Sequence, residues 1–348
     1  MNYSAFRFVS VLLIVAIVLL GFSACNSPTT TLETPQPASD ATASPIPTEI
    51  PQPTETPQPG KVILVSADAL DTPGNEVHSQ LQTLSEQAGY SFEAMTAFNV
   101  EQVNDSLKVA IFMEEPQNLA ELRNAAPAAQ FVVVTSNEQL QGEENLSVLY
   151  VNTMDQAFIA GMVTMLAAPD FRAGGLLVWD NDEQGADAQE AFVNGANYYC
   201  GTCASVYMPV AFFPIVTSLP SSSTWETWLD AFNSMNTEYI IYTMFVNGGA
   251  ATTELMQALA IANVAVVGEH TPTGTDLPRY AATVQMDIAA QLVNLWPDLQ
   301  AGIGGKTVVV PVEVVDVNEE LLSAGRMRLV NDAIVLLAEG ALESLSPD

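Results

Sequence analysis

The chain has 348 residues, with 40 acidic against 9 basic side chains, a formal net charge of −31 and a charged fraction of only 14%. With no basic cluster to neutralise phosphates, this balance excludes nucleic acid as a partner and excludes an electrostatic hold on anionic lipid. The low charge density also excludes a disordered acidic tail as the main body of the chain.

Residues Phe8 to Leu20 form an apolar run preceded by Arg7, and Gly21-Phe22-Ser23-Ala24 leads into Cys25. This is the pattern of a secretory signal, and the run is too short for a comfortable membrane span. It resembles a bacterial lipoprotein signal, in which residues 1–24 are removed and Cys25 receives lipid. Phe22 stands where Leu is usual. An ordinary signal peptide and an uncleaved anchor stay open, and all three readings put the rest of the chain outside the cytoplasm. Asn26 to Gly60 holds nine prolines among Thr, Ser and Gln and has no apolar period. Such a segment cannot bury a core and reads as a tether, extended in polyproline II to at most roughly 100 Å.

From Lys61 the composition becomes globular, and strand-like and helix-like stretches alternate. In chain order the pattern predicts strand 61–66, helix 76–89, strand 108–113, helix 119–125, strands 130–135 and 147–151, helix 155–168 and strand 174–179. It continues with helix 186–199, strand 205–213, helix 224–235, strand 239–243, helix 250–262, strands 264–267 and 281–285, helix 287–302, strand 307–314 and helix 318–342. Runs such as Val132–Val134 and Val308–Val310 suit strands covered on both faces, so the fold class is α/β with parallel sheets, in two lobes.

Several stretches then resemble one family. Asn152–Ala168 (NTMDQAFIAGMVTMLAA), Ala173–Asp180 (AGGLLVWD) and Ala191–Ala196 (AFVNGA) look like the central signature of the basic membrane lipoprotein (PnrA-like) family of ABC-transporter substrate-binding proteins. Pro127–Val134, Glu238–Ala250 (EYIIYTMFVNGGA) and Val264–His270 (VAVVGEH) agree with it in order and spacing. The resemblance implies a type I periplasmic-binding-protein fold: two Rossmann-like lobes closing on a small ligand, often a nucleoside, and delivering it to an ABC permease and its ATPase. It places residues 61–151 with about 270–290 in lobe 1, and 152–269 with about 291–348 in lobe 2. A sensor of the same fold, whose closure a membrane partner reads, is the alternative.

Ligands of open α/β sheets sit beyond the strand carboxyl ends. In the turn after the first strand, Asp68, Asp71 and Asn75 are candidate partners for sugar hydroxyls or a base edge, or equally helix caps. Relatives carry Ser-Phe-Asn where this chain reads Pro73-Gly74-Asn75, so a stacking aromatic is absent there. Trp179 and Phe245 are the candidate faces for a base, against the plainer reading of core packing, with Asp180 beside Trp179. Asn247, Gly248 and Gly249 offer a polar side chain and close backbone approach, or a plain tight turn. Glu269 stands where relatives carry an acid that grips a ribose, and Gln285 where they often carry Lys, which disfavours a phosphorylated ligand.

Cys200 and Cys203 form one CxxC with no second pair, and His78 and His270 are distant in sequence. A disulfide is expected in an oxidising location, two free thiols being the alternative and no metal being expected. There is no nucleophile elbow, HExxH or P-loop, so the chain is read as a binding protein without cofactor and not as an enzyme.

Overall fold

The computed structural model describes residues 59–66, 72–180, 183–271 and 279–346, the side chains of 72–75 excepted. Cys25, Asp68 and Asp71 therefore lie outside the described residues. The chain begins with β1 (Lys61–Val65), α1 (Thr72–Ala88), β2 (Ser91–Met95), β3 (Leu107–Phe112), α2 (Leu119–Ala125), β4 (Gln130–Thr135) and β5 (Leu146–Val151). There follow α3 (Thr153–Ala167), β6 (Ala173–Val178), α4 (Glu183–Tyr198), β7 (Cys203–Ala204), β8 (Phe212–Phe213) and β9 (Ile215–Leu219). Next come α5 (Trp225–Tyr239), β10 (Thr243–Val246), α6 (Thr253–Ile261), β11 (Ala265–Gly268) and β12 (Tyr280–Met286). The last elements are α7 (Ile288–Gln300), β13 (Thr307–Val310), β14 (Val312–Val315) and α8 (Ala324–Ala338).

Two six-stranded sheets result, ordered β13-β5-β4-β3-β1-β2 and β14-β12-β11-β10-β6-β9. The first is parallel throughout, and in the second only β14 runs antiparallel, against β12. Of the two apolar runs predicted to be covered on both faces, Val132–Val134 is so, at most 4% exposed, whereas Val309 of the Val308–Val310 run is 64% exposed because β13 lies at the edge of its sheet. Each sheet carries a hydrophobic cluster on either face.

The chain passes between the sheets three times: after Val151, after Met286 and at Pro311. Pro311 has no N–H to extend a ladder, so the single strand expected over 307–314 divides into β13 in one sheet and β14 in the other. The crossovers also correct the lobe boundaries. β12 hydrogen-bonds to β11 and β14, so 280–286 belongs to lobe 2. α7 packs its Leu292, Leu295 and Trp296 against Val77 and Leu81 of α1, and β13 pairs with β5, so 288–310 belongs to lobe 1.

The glycines in the family-like signature prove to be packing residues. A Cβ on Gly161 of α3 would lie 1.9 Å from the Phe192 carbonyl oxygen, and one on Gly195 of α4 would lie 1.8 Å from that of Phe158. The two helices press backbone against backbone, which only glycine allows at those positions.

Other sequence expectations move. Residues 205–213, expected as one strand, form a turn over 205–211 followed by the two-residue strand β8, which pairs with β7. Ile240 adopts φ 59° as the C-cap of α5, which delays β10 to Thr243. β2 and β9 were not foreseen; their sequences, SFEAM and IVTSL, mix polar and apolar residues as edge strands do.

Candidate functional site

Because β5 and β13 leave lobe 1 from their carboxyl ends, and β12 leaves lobe 2 from its own, the carboxyl ends of both parallel sheets face each other. In lobe 2 this rim is built around Glu269. The Asn247 side chain donates from Nδ2 to Glu269 Oε1 at 2.8 Å, and the Gly248 N–H donates to Oε2 at 2.7 Å. Asn247 Oδ1 accepts in turn from the Gly249 N–H at 3.2 Å, so it caps the one-turn helix Gly248–Ala250. Burial pushes the Glu269 carboxyl above its ordinary 4.5, while the bonds from Gly248 and Asn247 pull it back. A carboxylate offers about four acceptor directions, and the bonds from Asn247 and Gly248 engage two of them.

Gly248 makes this possible, since a Cβ there would lie 2.8 Å from Glu269 Oε2 and 3.0 Å from His270 Nε2. Behind Glu269 is a network the sequence reading missed. The Tyr280 hydroxyl donates to the His270 carbonyl at 3.0 Å and lies 2.9 Å from Thr283 Oγ1, and Thr283 donates to Asp316 at 3.1 Å. Thr271 also donates to Asp316. Burial first, and Asp316 and Glu269 as well, push Tyr280 up to about 12, so it is a permanent donor that fixes the strand end after Gly268. Its members are spread over 270–316, a separation no short motif records.

The remaining candidates separate. Trp179 is 36% exposed at the end of β6. Asp180 accepts from the Ser221 N–H at 2.8 Å and so ties down the loop after β9. Phe245 is corrected as a ligand face: it is 1% exposed and stacks on Phe192 at 5.3 Å inside lobe 2, because alternation on β10 turns it into the sheet's covered face. Gln285 is half-buried near the carboxyl end of β12, opposite Glu313 of β14, at the second crossover. Asn75 falls within α1. Cys200 and Cys203 are joined as a disulfide with Cα atoms 5.4 Å apart, between α4 and β7, at the end of lobe 2 away from the cleft.

A cavity of about 710 Å³ lies beside the first crossover, between lobe 1 (Glu138, Tyr150) and lobe 2 (Asp155, Glu183, Asp187). Tyr150 donates to Glu138 at 2.9 Å; burial, then that bond and the Glu138 charge, push it up to about 12. Burial also raises Asp155.

Charge is sorted along the strands. Lys61 opens β1, Lys108 is the second residue of β3, Lys306 precedes β13, Arg172 precedes β6 and Arg279 precedes β12. Arg123 sits in the last turn of α2, and Arg326 and Arg328 in the first turns of α8, at the same far ends. These eight account for every Lys and Arg after Arg7. The strands these residues open have four to seven residues and span roughly 13–23 Å, more than one Debye length at physiological salt. At the cleft rim, Glu269 therefore has no Lys or Arg among its hydrogen-bond partners, and Arg279, whose carbonyl accepts from the Val266 N–H, stands three residues back along the sheet.

No family model matches the chain, and no curated protein matches it. Solved structures do. ABC transporter solute-binding proteins from Aeropyrum pernix K1 superpose with a TM-score of 0.61 at 10% identity, over 83% of this chain and 94% of that one. A transcriptional activator of the comK gene from Bacillus halodurans gives 0.59 at 14% identity, over 81% and 99%. A carbohydrate transporter solute-binding protein from Agrobacterium radiobacter, in complex with D-arabinose, gives 0.52 at 11%, over 78% and 98%. At these identities the likeness is one of fold. The fold is that of the type I periplasmic-binding proteins.

Proposed function

We propose that the chain is the solute-binding lipoprotein of an ABC importer, of the basic membrane lipoprotein type. In this reading it is held on the extracytoplasmic face by lipid on Cys25 and carries its solute to a permease and its ATPase. Among the described residues no helix is long and apolar enough to cross a membrane. The solute is small, hydroxyl-rich and uncharged, a nucleoside in the first instance. The observation that carries this is Glu269, fixed at the cleft rim by Asn247 and Gly248 with no Lys or Arg among its hydrogen-bond partners. Such a rim suits neutral hydroxyl donors and opposes phosphates and carboxylates. Closure of two lobes on the solute buries it, as concave sites do. Titration calorimetry of the purified chain with nucleosides and neutral sugars tests the reading: one solute is expected to bind at a single site, and the absence of heat with every one of them would defeat it.

A further inference from the structure

From Ala191 to Trp225 the chain has no Asp, Glu, Lys, Arg or His, in a protein with a net charge of −31. Within this stretch the turn from β7 to β8 exposes five large apolar side chains: Val206 by 75%, Tyr207 by 73%, Met208 by 80%, Val210 by 60% and Phe212 by 70%. The turn is braced from beneath. Arg172, 1% exposed, donates from Nη2 to the carbonyls of Tyr207 at 2.5 Å and Pro209 at 3.1 Å, and from Nε to Asp170 at 3.1 Å. Asp170 accepts from the N–H groups of Val206 at 2.7 Å and Tyr207 at 3.3 Å. Ser205 Oγ donates to the Pro209 carbonyl at 3.0 Å and accepts from the Ala211 N–H at 3.2 Å. The backbone's polar groups are thus satisfied inward while the apolar side chains are held outward. Tyr242, 41% exposed, extends the surface across the Arg172 guanidinium, 5.8 Å from its ring.

We infer that this loop docks against the same loop of a second copy of the chain. Five such side chains present on the order of 600 Å² of apolar surface, at or above the largest patch an ordinary monomer leaves bare. Two copies joined through it bury roughly 1,200 Å², the lower bound of specific interfaces, with the Tyr, Phe and Met content and absence of charge found at interface centres. The chain's charge favours self-contact here: two strongly acidic copies repel over most of their surface, and a two-fold contact sets this charge-free loop against itself. The loop lies at the end of lobe 2 remote from the cleft, so pairing leaves the cleft open.

Cysteine replacement at Tyr207, Met208 or Val210, one at a time in the full chain oxidised in intact cells, tests this directly. A two-fold contact brings each position close to its own counterpart. A disulfide-linked dimer is expected from these positions and not from the parent chain or from Val335→Cys on the surface of α8. Adding Phe212→Asp to Met208→Cys is expected to cut the dimer by about tenfold or more without changing the thermal midpoint. Only monomer at all three positions, or adducts solely with another polypeptide, would overturn the proposal.

Discussion

Gly248 and Glu269 are fitted to each other: the Gly248 N–H donates to Glu269 Oε2 at 2.7 Å, and a Cβ on Gly248 would stand 2.8 Å from that same oxygen. A side chain there displaces the carboxylate that its own backbone holds. Gly248→Ala is therefore expected to weaken solute binding by about 1–3 kcal/mol, the range for a lost charge-assisted contact, with little change in the core of lobe 2. Calorimetry of the variant checks this, and unchanged affinity would remove Glu269 from the site.

Glu269 also makes a pH prediction. Its folded-state pKa lies above the 4.5 of an unconstrained glutamate, because burial outweighs the two bonds it accepts. The protonated form thus favours the native state: its contribution is fully present below about 4.5 and is lost as pH rises through the raised folded value. Relative to Glu269→Gln, the solute-free parent should lose stability over the pH interval above about 4.5. Thermal unfolding across that interval measures it, and parallel curves would contradict the assignment.

Arg172 is a fully buried cation of lobe 2, satisfied by Asp170 and by the carbonyls of Tyr207, Pro209 and Tyr239. Arg172→Met should cost about 3 kcal/mol or more, since Asp170 loses its counter-charge and the carbonyls lose their donor. For a domain of this size that lowers the melting temperature by on the order of 10 °C. Burial alone would raise the Asp170 pKa, but its bonds from Val206, Tyr207 and Arg172 outweigh that and hold it below the ordinary 3.8. Its stabilisation is therefore present above about 3.8 and lost as pH falls through the folded value; the Arg172→Met chain should show a smaller loss in acid.

Cys200 and Cys203 should give no reactive thiol in the mature protein under denaturing, non-reducing conditions. Their closed loop is only a few residues long, so replacing both with Ser should cost no more than about 2 kcal/mol. Two titratable thiols would contradict the pairing drawn between α4 and β7.

The architecture was legible because periodicity and β-branched runs report burial, and the central strands of both sheets are buried on two faces. The lobe boundaries were not, because the partner of 280–286 is chosen by hydrogen bonds to β11 and β14 that leave no local mark. The turn at 205–211 read as a strand because its apolar residues satisfy β-propensity; its shape is imposed by Arg172 and Asp170, more than thirty residues earlier. Asn247, Gly248 and Glu269 were singled out as candidates from strand ends and resemblance together, and the structure brings the three into contact. Phe245 failed because a strand-end aromatic can face either side of its sheet, and Tyr280 was missed because its bonds join distant segments.

The most direct measurement is thermal unfolding of the chain with matched solutes: nucleosides and neutral sugars against nucleoside 5′-monophosphates and sugar acids. The carboxylate rim around Glu269, with every Lys and Arg after Arg7 at the far strand and helix ends, predicts stabilisation by a neutral member. At about a hundred times its dissociation constant that solute should add about 2.7 kcal/mol, and its phosphorylated or carboxylated counterpart should add nothing. Preferential stabilisation by the anionic members, or none by any neutral solute, would contradict the account.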